Sequence, residues 1–247
     1  MTETRTIPWI KIGAESLAIV ASILLAFAIN AWWATRQDRV EEQRILVSLD
    51  WEIQQNLQRV ERELSYRNAV ILSILELFDA AAGNVRLEPD AIDKLIGDIT
   101  WWADGEYSRG AIDELIQSGK LSLIKNNDLR QLLASLPYLY EVTRQAELQD
   151  KDGARGTVNP YLSANAAFSQ IANTMTEGRP GTGELSTAPA YPAIEVQDHS
   201  WLIGDREFLG ILVREHWDHL DAIWFLESLR SESERAIELI EQETDRG

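Results

Sequence analysis

The sequence predicts an all-α protein, in which one N-terminal transmembrane helix continues without a break into a long helix of an antiparallel helical bundle. Three observations predict it. Ser16 to Ile29, SLAIVASILLAFAI, is an apolar run without a charge. Apolar residues then follow at spacings of three and four, at Leu46, Leu49, Ile53, Leu57, Val60 and Leu64, the period of a helix face. No Pro or Gly stands between Gly13 and Gly83, so nothing in that stretch breaks a helix.

The span comes first. Residues 1–11 form a short tail and residues 12–33 the transmembrane helix. About 20 residues at 1.5 Å each cross a hydrocarbon core of about 30 Å. Trp9 before the span and the pair Trp32-Trp33 at its end suit an interfacial aromatic belt. A cleaved signal peptide is the competing assignment, with Ala26-Phe27-Ala28 as its cleavage site. Glu15, the length of the apolar run and the helical period running through the cut all favour retention. At every fourth position Ala14, Ala18, Ser22, Ala26 and Asn30 form a small-or-polar stripe, with Glu15 beside it. Small residues let helices approach closely in lipid, and polar ones hydrogen-bond across the contact. The stripe therefore reads as a packing face for another copy or another membrane protein. A lone helix whose Glu15 and Asn30 reach the headgroups is the alternative.

Residues 34–247 form an acidic helical domain. The first helix runs to about Ala82, where Gly83-Asn84 ends it. Its apolar stripe suits the core of an antiparallel bundle, or else a parallel homo-oligomeric coiled coil. Short helices are expected over about 90–102 and 108–117, the second closed by Gly119 in a left-handed conformation. Leu121, Leu123 and Ile124 read as an extended link. Asn126 or Asn127 caps the next helix, which runs to about Asp150 and carries Pro137. Asn159-Pro160 opens another helix, ending near Met175. From about 177 to 199, three glycines and three prolines in close succession predict an irregular loop. A last helix, about Asp205 to Gln242, carries a stripe of Leu209, Val213, Trp217, Leu220, Trp224, Ile237 and Ile240. It is nearly as long as the soluble part of the first helix. The two are expected to pair antiparallel, returning the C-terminus toward the membrane.

Composition narrows the function. The 247 residues carry 23 Lys plus Arg against 40 Asp plus Glu, a net charge of -17, and the excess lies after the span. Such a domain repels nucleic acid and anionic lipid. With no cysteine, disulfides, thiol catalysis and cysteine metal sites are excluded. No P-loop and no Gly-x-Ser-x-Gly elbow is present. His216 and His219, three apart, are weak ligand candidates that lack a defined third ligand, and Arg130 is a weak anion candidate at a helix start. No catalytic residue, metal or cofactor is expected. Trp217 and Trp224 read as core filling.

Two blocks carry a resemblance: Glu15 to Trp33, with Leu46, Leu49 and Asn56 after it, and Asp113 to Leu132, DELIQSGKLSLIKNNDLRQL. Together they resemble a bacterial family of single-anchor membrane proteins known only as a domain of unknown function. The likeness covers about half of the chain. Asn30 stands where that family has a doubled Asn, and the loop before His199 has no counterpart there. The resemblance implies topology and no chemistry.

The expected function is thus a non-enzymatic, membrane-anchored scaffold or interaction protein that associates with itself or with another membrane protein through the anchor. An extracytoplasmic sensory or ligand-binding helical domain, signalling through a partner, is the alternative. The bacterial inner membrane is the expected location. The short basic N-terminal tail, with Arg5 and Lys11, favours a periplasmic domain.

Overall fold

A computed structural model describes residues 9–100, 106–174, 191 and 196–245, without the side chains of residues 9–16 and 18. Of the described residues 88% are helical, and none lies in a strand. Helix α1 spans Trp9–Ala81 in one piece. It holds the one helix among the described residues that is long and apolar enough to cross a membrane. Then come α2 (Pro89–Ile99), α3 (Gly110–Gln117), α4 (Asn127–Gly153), α5 (Asn159–Asn165), α6 (Phe168–Thr174) and α7 (Arg206–Asp245).

Three long helices make the bundle. Gln43 Nε2 donates to the Glu243 carbonyl, and Arg67 meets His219. Moving 24 residues up α1 therefore moves 24 residues down α7, and the pair is antiparallel. Lys125 N bonds Glu42, and Arg67 bonds Asp150, both 83 positions apart, so α4 runs parallel to α1. Each helix lends the core residues at spacings of three, four and seven: Leu46, Leu49, Ile53 and Val60 on α1, Leu129, Leu133, Leu136 and Tyr140 on α4, Leu226, Leu229, Ala236 and Ile240 on α7. The C-terminal end of α7 thus lies beside the start of the soluble part of α1, as the two helix lengths predict.

The segment between α2 and α4 is fastened to α1 by polar side chains. Asn56 Nδ2 donates to the Ser108 carbonyl at 2.7 Å, and its Oδ1 accepts from Ser108 N at 2.9 Å. Glu52 accepts from the N–H groups of Ala111 (2.8 Å) and Ile112 (3.1 Å), the first turn of α3, whose free donors favour an anion there. Gly119, at φ 72°, ends α3 as expected. Residues 120–123 form a 3-10 turn and not an extended link, because the left-handed glycine starts a further turn that buries Ile124. Asn126 Oδ1 caps α4, accepting from Asp128 N and Leu129 N. Pro137 lies within α4, which passes through a π turn (Ala154–Val158) into α5. The helix expected from Asn159 to Met175 is two helices, since Ala166 is extended. Most of the loop expected over 177–199 lies outside the described residues.

The face of α7 differs from expectation. Its buried side is Phe208, Ile211, Leu212, Glu215, His219, Ala222, Leu226, Leu229, Ser233, Ala236 and Ile240. Val213, Trp217 and Trp224 are exposed, the tryptophans at 62% and 65%. The core phase of α7 passes through two charged-type residues at mid-helix. A stripe drawn through apolar residues alone is rotated away from it.

Candidate functional site

Two places gather what the chain could use: the outer face of α1 and a polar layer across the bundle.

On α1, Ser22, Ala26 and Asn30 of the predicted packing face are exposed, while the side chains of Trp9, Ala14, Glu15 and Ala18 lie outside the described residues. Trp32 and Trp33 are exposed, with ring centroids 6.3 Å apart. The exposed apolar line does not stop at the end of the span. Val40 (63%), Val47 (64%) and Trp51 (66%) continue it on the side of α1 facing away from Leu46, Leu49 and Ile53. Beside it runs a groove of about 570 Å³ whose lining includes Trp33, Val40, Lys120 and Leu123. Lys120 reaches across to Glu41 at 2.7 Å, joining the turn after α3 to the rim of that groove.

The polar layer lies between two apolar clusters. One holds Leu46 to Leu64 of α1, and the other starts at Val70. Between them Arg67 is fully buried and reaches both partner helices. Its Nη1 donates to Asp150 Oδ2 at 2.8 Å and to His219 Nδ1 at 3.1 Å. Burial works against the Arg67 charge, but Asp150, Glu147 and Glu63 together outweigh it and raise the pKa. Glu147, one turn before Asp150, accepts from the Tyr107 hydroxyl at 2.9 Å. Glu215, one turn before His219, is 0% exposed, and neither carboxylate oxygen has a hydrogen-bond partner among the described residues. Burial, then Asp150 and Asp218, push its pKa up to about 8. Burial takes His219 down to about 4. At neutral pH Glu215 is thus protonated and His219 neutral, which leaves Arg67 and Asp150 as the central ion pair.

Asp150, Glu215 and His219 each bring a ligating atom within 4.8 Å of the others, close enough for one divalent ion. Protonation argues for another use. A guanidinium only donates, so Nδ1 of His219 accepts and Nε2 carries the proton. Nε2 faces Asp150 Oδ1 at 3.5 Å and has no lone pair for a metal while Arg67 holds the other nitrogen. The cluster is an ion-pair layer that joins three helices.

The predicted ligand candidates are dispersed. His219 joins the layer, whereas His216 is half-buried with its ring edge-on to Trp217. Arg130 donates to the Ile124 carbonyl (3.2 Å) and Asn127 Oδ1 (2.7 Å), bracing the entry to α4.

A further buried histidine acts as a latch. His199 Nε2 accepts from Ala167 N at 3.0 Å, so Nδ1 bears the proton and donates to Asp93 Oδ1 at 2.6 Å. Asp93 also accepts from Gln170 Nε2 at 2.5 Å. This joins α2, α6 and the turn 199–204, and uses both ring nitrogens. His199→Ala is expected to cost about 2–3 kcal/mol, the cost of leaving a buried partner unsatisfied. Urea unfolding of the full chain in detergent checks it, and a change below about 0.5 kcal/mol contradicts the latch.

Sequence reasoning misses Arg67, Asp150 and Glu215. A signal for them exists: all three stand in the three-and-four spacing of the core, as in Leu64, Arg67 and Val70 or Thr143, Glu147 and Asp150. Comparison with known protein families, with curated proteins and with solved structures finds no match.

Proposed function

We propose that this chain is a non-enzymatic, membrane-anchored helical interaction protein. It self-associates or serves as an accessory subunit of a membrane complex. The observation that carries this reading is the apolar line on α1, which leaves the span and continues, exposed, to Trp51. Soluble surfaces seldom expose such a contiguous line unless a partner covers it. The small-or-polar stripe of the span supports the same reading, because it offers close approach inside lipid. The layer around Arg67 supports it from the other side: its histidine and its charges are engaged in holding helices together. The resemblance and the basic tail support a bacterial cytoplasmic membrane with the domain on the periplasmic side.

Purification of the full chain from native membranes in mild detergent, followed by mass measurement, tests this. The expected result is an assembly of two or more chains, or a complex with another membrane protein. A monomer at all protein concentrations overturns it.

A further inference from the structure

The bond from Arg67 closes the His219 ring to a metal, but the carboxylates beside it converge on a different point. We infer that Glu215 and Asp218 of α7, with Asp150 of α4, bind a hard divalent cation against Gly153. This site is independent of the interaction reading above and adds a ligand to the soluble domain.

Gly153 is the last residue of α4, and the π turn over 154–158 follows it directly. A Cβ placed on Gly153 would meet Glu215 Oε1 at 3.1 Å and Asp218 Oδ2 at 3.4 Å. Two carboxylate oxygens from one turn of α7 thus point at the same spot, which a side chain at position 153 would fill. Residues three apart share a helix face, so one ion reaches both. Asp150, three residues before Gly153, supplies a further donor, with a carboxylate oxygen within 4.8 Å of a Glu215 oxygen. Its Oδ2 is taken by Arg67, whereas its Oδ1 has no hydrogen-bond partner among the described residues.

Glu215 sets this apart from a solvated acidic surface. It is 0% exposed and directs Oε1 at that spot, with neither oxygen hydrogen-bonded among the described residues. A carboxylate taken out of water is costly unless it is paired or coordinates a metal. Arg214, on the same helix, turns its Nη1 to Thr157 Oγ1 at 3.4 Å. Arg67 neutralises Asp150, so Glu215 and Asp218 leave two negative charges, the charge of one divalent ion. In the ion-free protein Glu215 holds a proton, kept there by burial and by the charges of Asp150 and Asp218. The cation takes the place of that proton, which passes to solvent, and the same two charges attract it.

The donors are all oxygen, which selects a hard cation such as Ca2+ over a softer metal. The approach is open from the side of Asp218, which is half-buried. It lines a pocket of about 220 Å³ between α4 and α7, together with Gln149 and Asp221. Gln149 Nε2 donates to Asp218 Oδ1 at 3.2 Å, which turns Oδ2 toward Gly153 and the ion.

The test is calorimetric titration of Ca2+ into the full chain in detergent at pH 8, after treatment with a chelator. The expected result is one saturable site per chain, lost in Glu215→Gln and weakened by about tenfold or more in Asp218→Asn. Glu238→Gln, at an exposed acid of the same helix, leaves it unchanged. The unaltered chain is also expected to melt several degrees higher in Ca2+ than in chelator, and Glu215→Gln at the same temperature in both. Because the glutamine keeps the shape of the site, the folded variant separates lost binding from lost structure. No uptake of Ca2+, unsaturable uptake by the acidic surface, or a site of equal strength in Glu215→Gln overturns the inference.

Discussion

Arg67→Met is expected to destabilise the domain by about 3–5 kcal/mol, the usual cost of removing one partner from a buried ion pair. The methionine fills much of the same space, so the loss comes from charge. Asp150 is 1% exposed and takes its short charge-assisted hydrogen bond from Arg67. Without the guanidinium, a carboxylate stays in the interior beside Glu147 and Glu215, and His219 Nδ1 loses its donor. For a domain of this size the loss lowers the melting temperature by roughly 10 °C. The double variant Arg67→Met/Asp150→Leu is expected to recover most of it, because neither member of the ion pair is then left buried without the other. Calorimetry of the three proteins in one detergent checks both. A single-variant loss below about 1 kcal/mol, or a double variant no better than the single, contradicts the account.

Glu215→Gln is expected to stabilise the protein, and increasingly so as pH rises from about 4.5 to 8. The Glu215 carboxyl titrates near 8 when folded, against an ordinary value of 4.5, so the folded state holds a proton that the unfolded state releases. Its contribution therefore falls as pH rises from 4.5 to 8. His219 acts in the opposite direction. Its pKa drops from 6.5 to about 4, so its neutral form favours folding above pH 6.5, and that benefit is lost as pH falls toward 4. Between 4.5 and 6.5 the two slopes cancel. Above 6.5 only the Glu215 cost grows, by about 2 kcal/mol up to pH 8. The groups facing Glu215 are Asp150 on α4 and Asp218 and Arg214 on α7. The glutamine variant keeps the shape and removes the proton. Melting temperatures of the two proteins are expected to coincide near pH 5 and to separate by several degrees at pH 8–9. A constant difference across that range contradicts a titrating Glu215.

Both effects arise where the sequence is least legible. The span, the unbroken first helix, the Gly119 stop and the Asn126 cap are local matters. Each follows from a run, a spacing or a single side chain bonding its own backbone neighbours, and each is found as expected. The face of α7 is not local. Val213, Trp217 and Trp224 suit a core by type, yet they lie outside because α1 and α4 press on the side that carries Glu215 and His219. Reading phase from apolar residues alone fails at such a layer. Charged residues in the core phase are buried only because partners arrive from other helices. Arg67, Asp150 and His219 lie 83 and 152 positions apart along the chain.

The amino-acid sequence by itself determined that one apolar helix opens the chain, that it runs unbroken into a helical domain, and that the domain is acidic and free of cysteine. These depend on transfer energies, helix period and caps, all of which act within a few residues. Only the tertiary structure decided which face of each long helix is inside and that an ion-pair layer divides the core. It also left the line from Trp33 to Trp51 uncovered. Burial is a property of what packs against a residue, and for these residues the packing partners come from far along the chain.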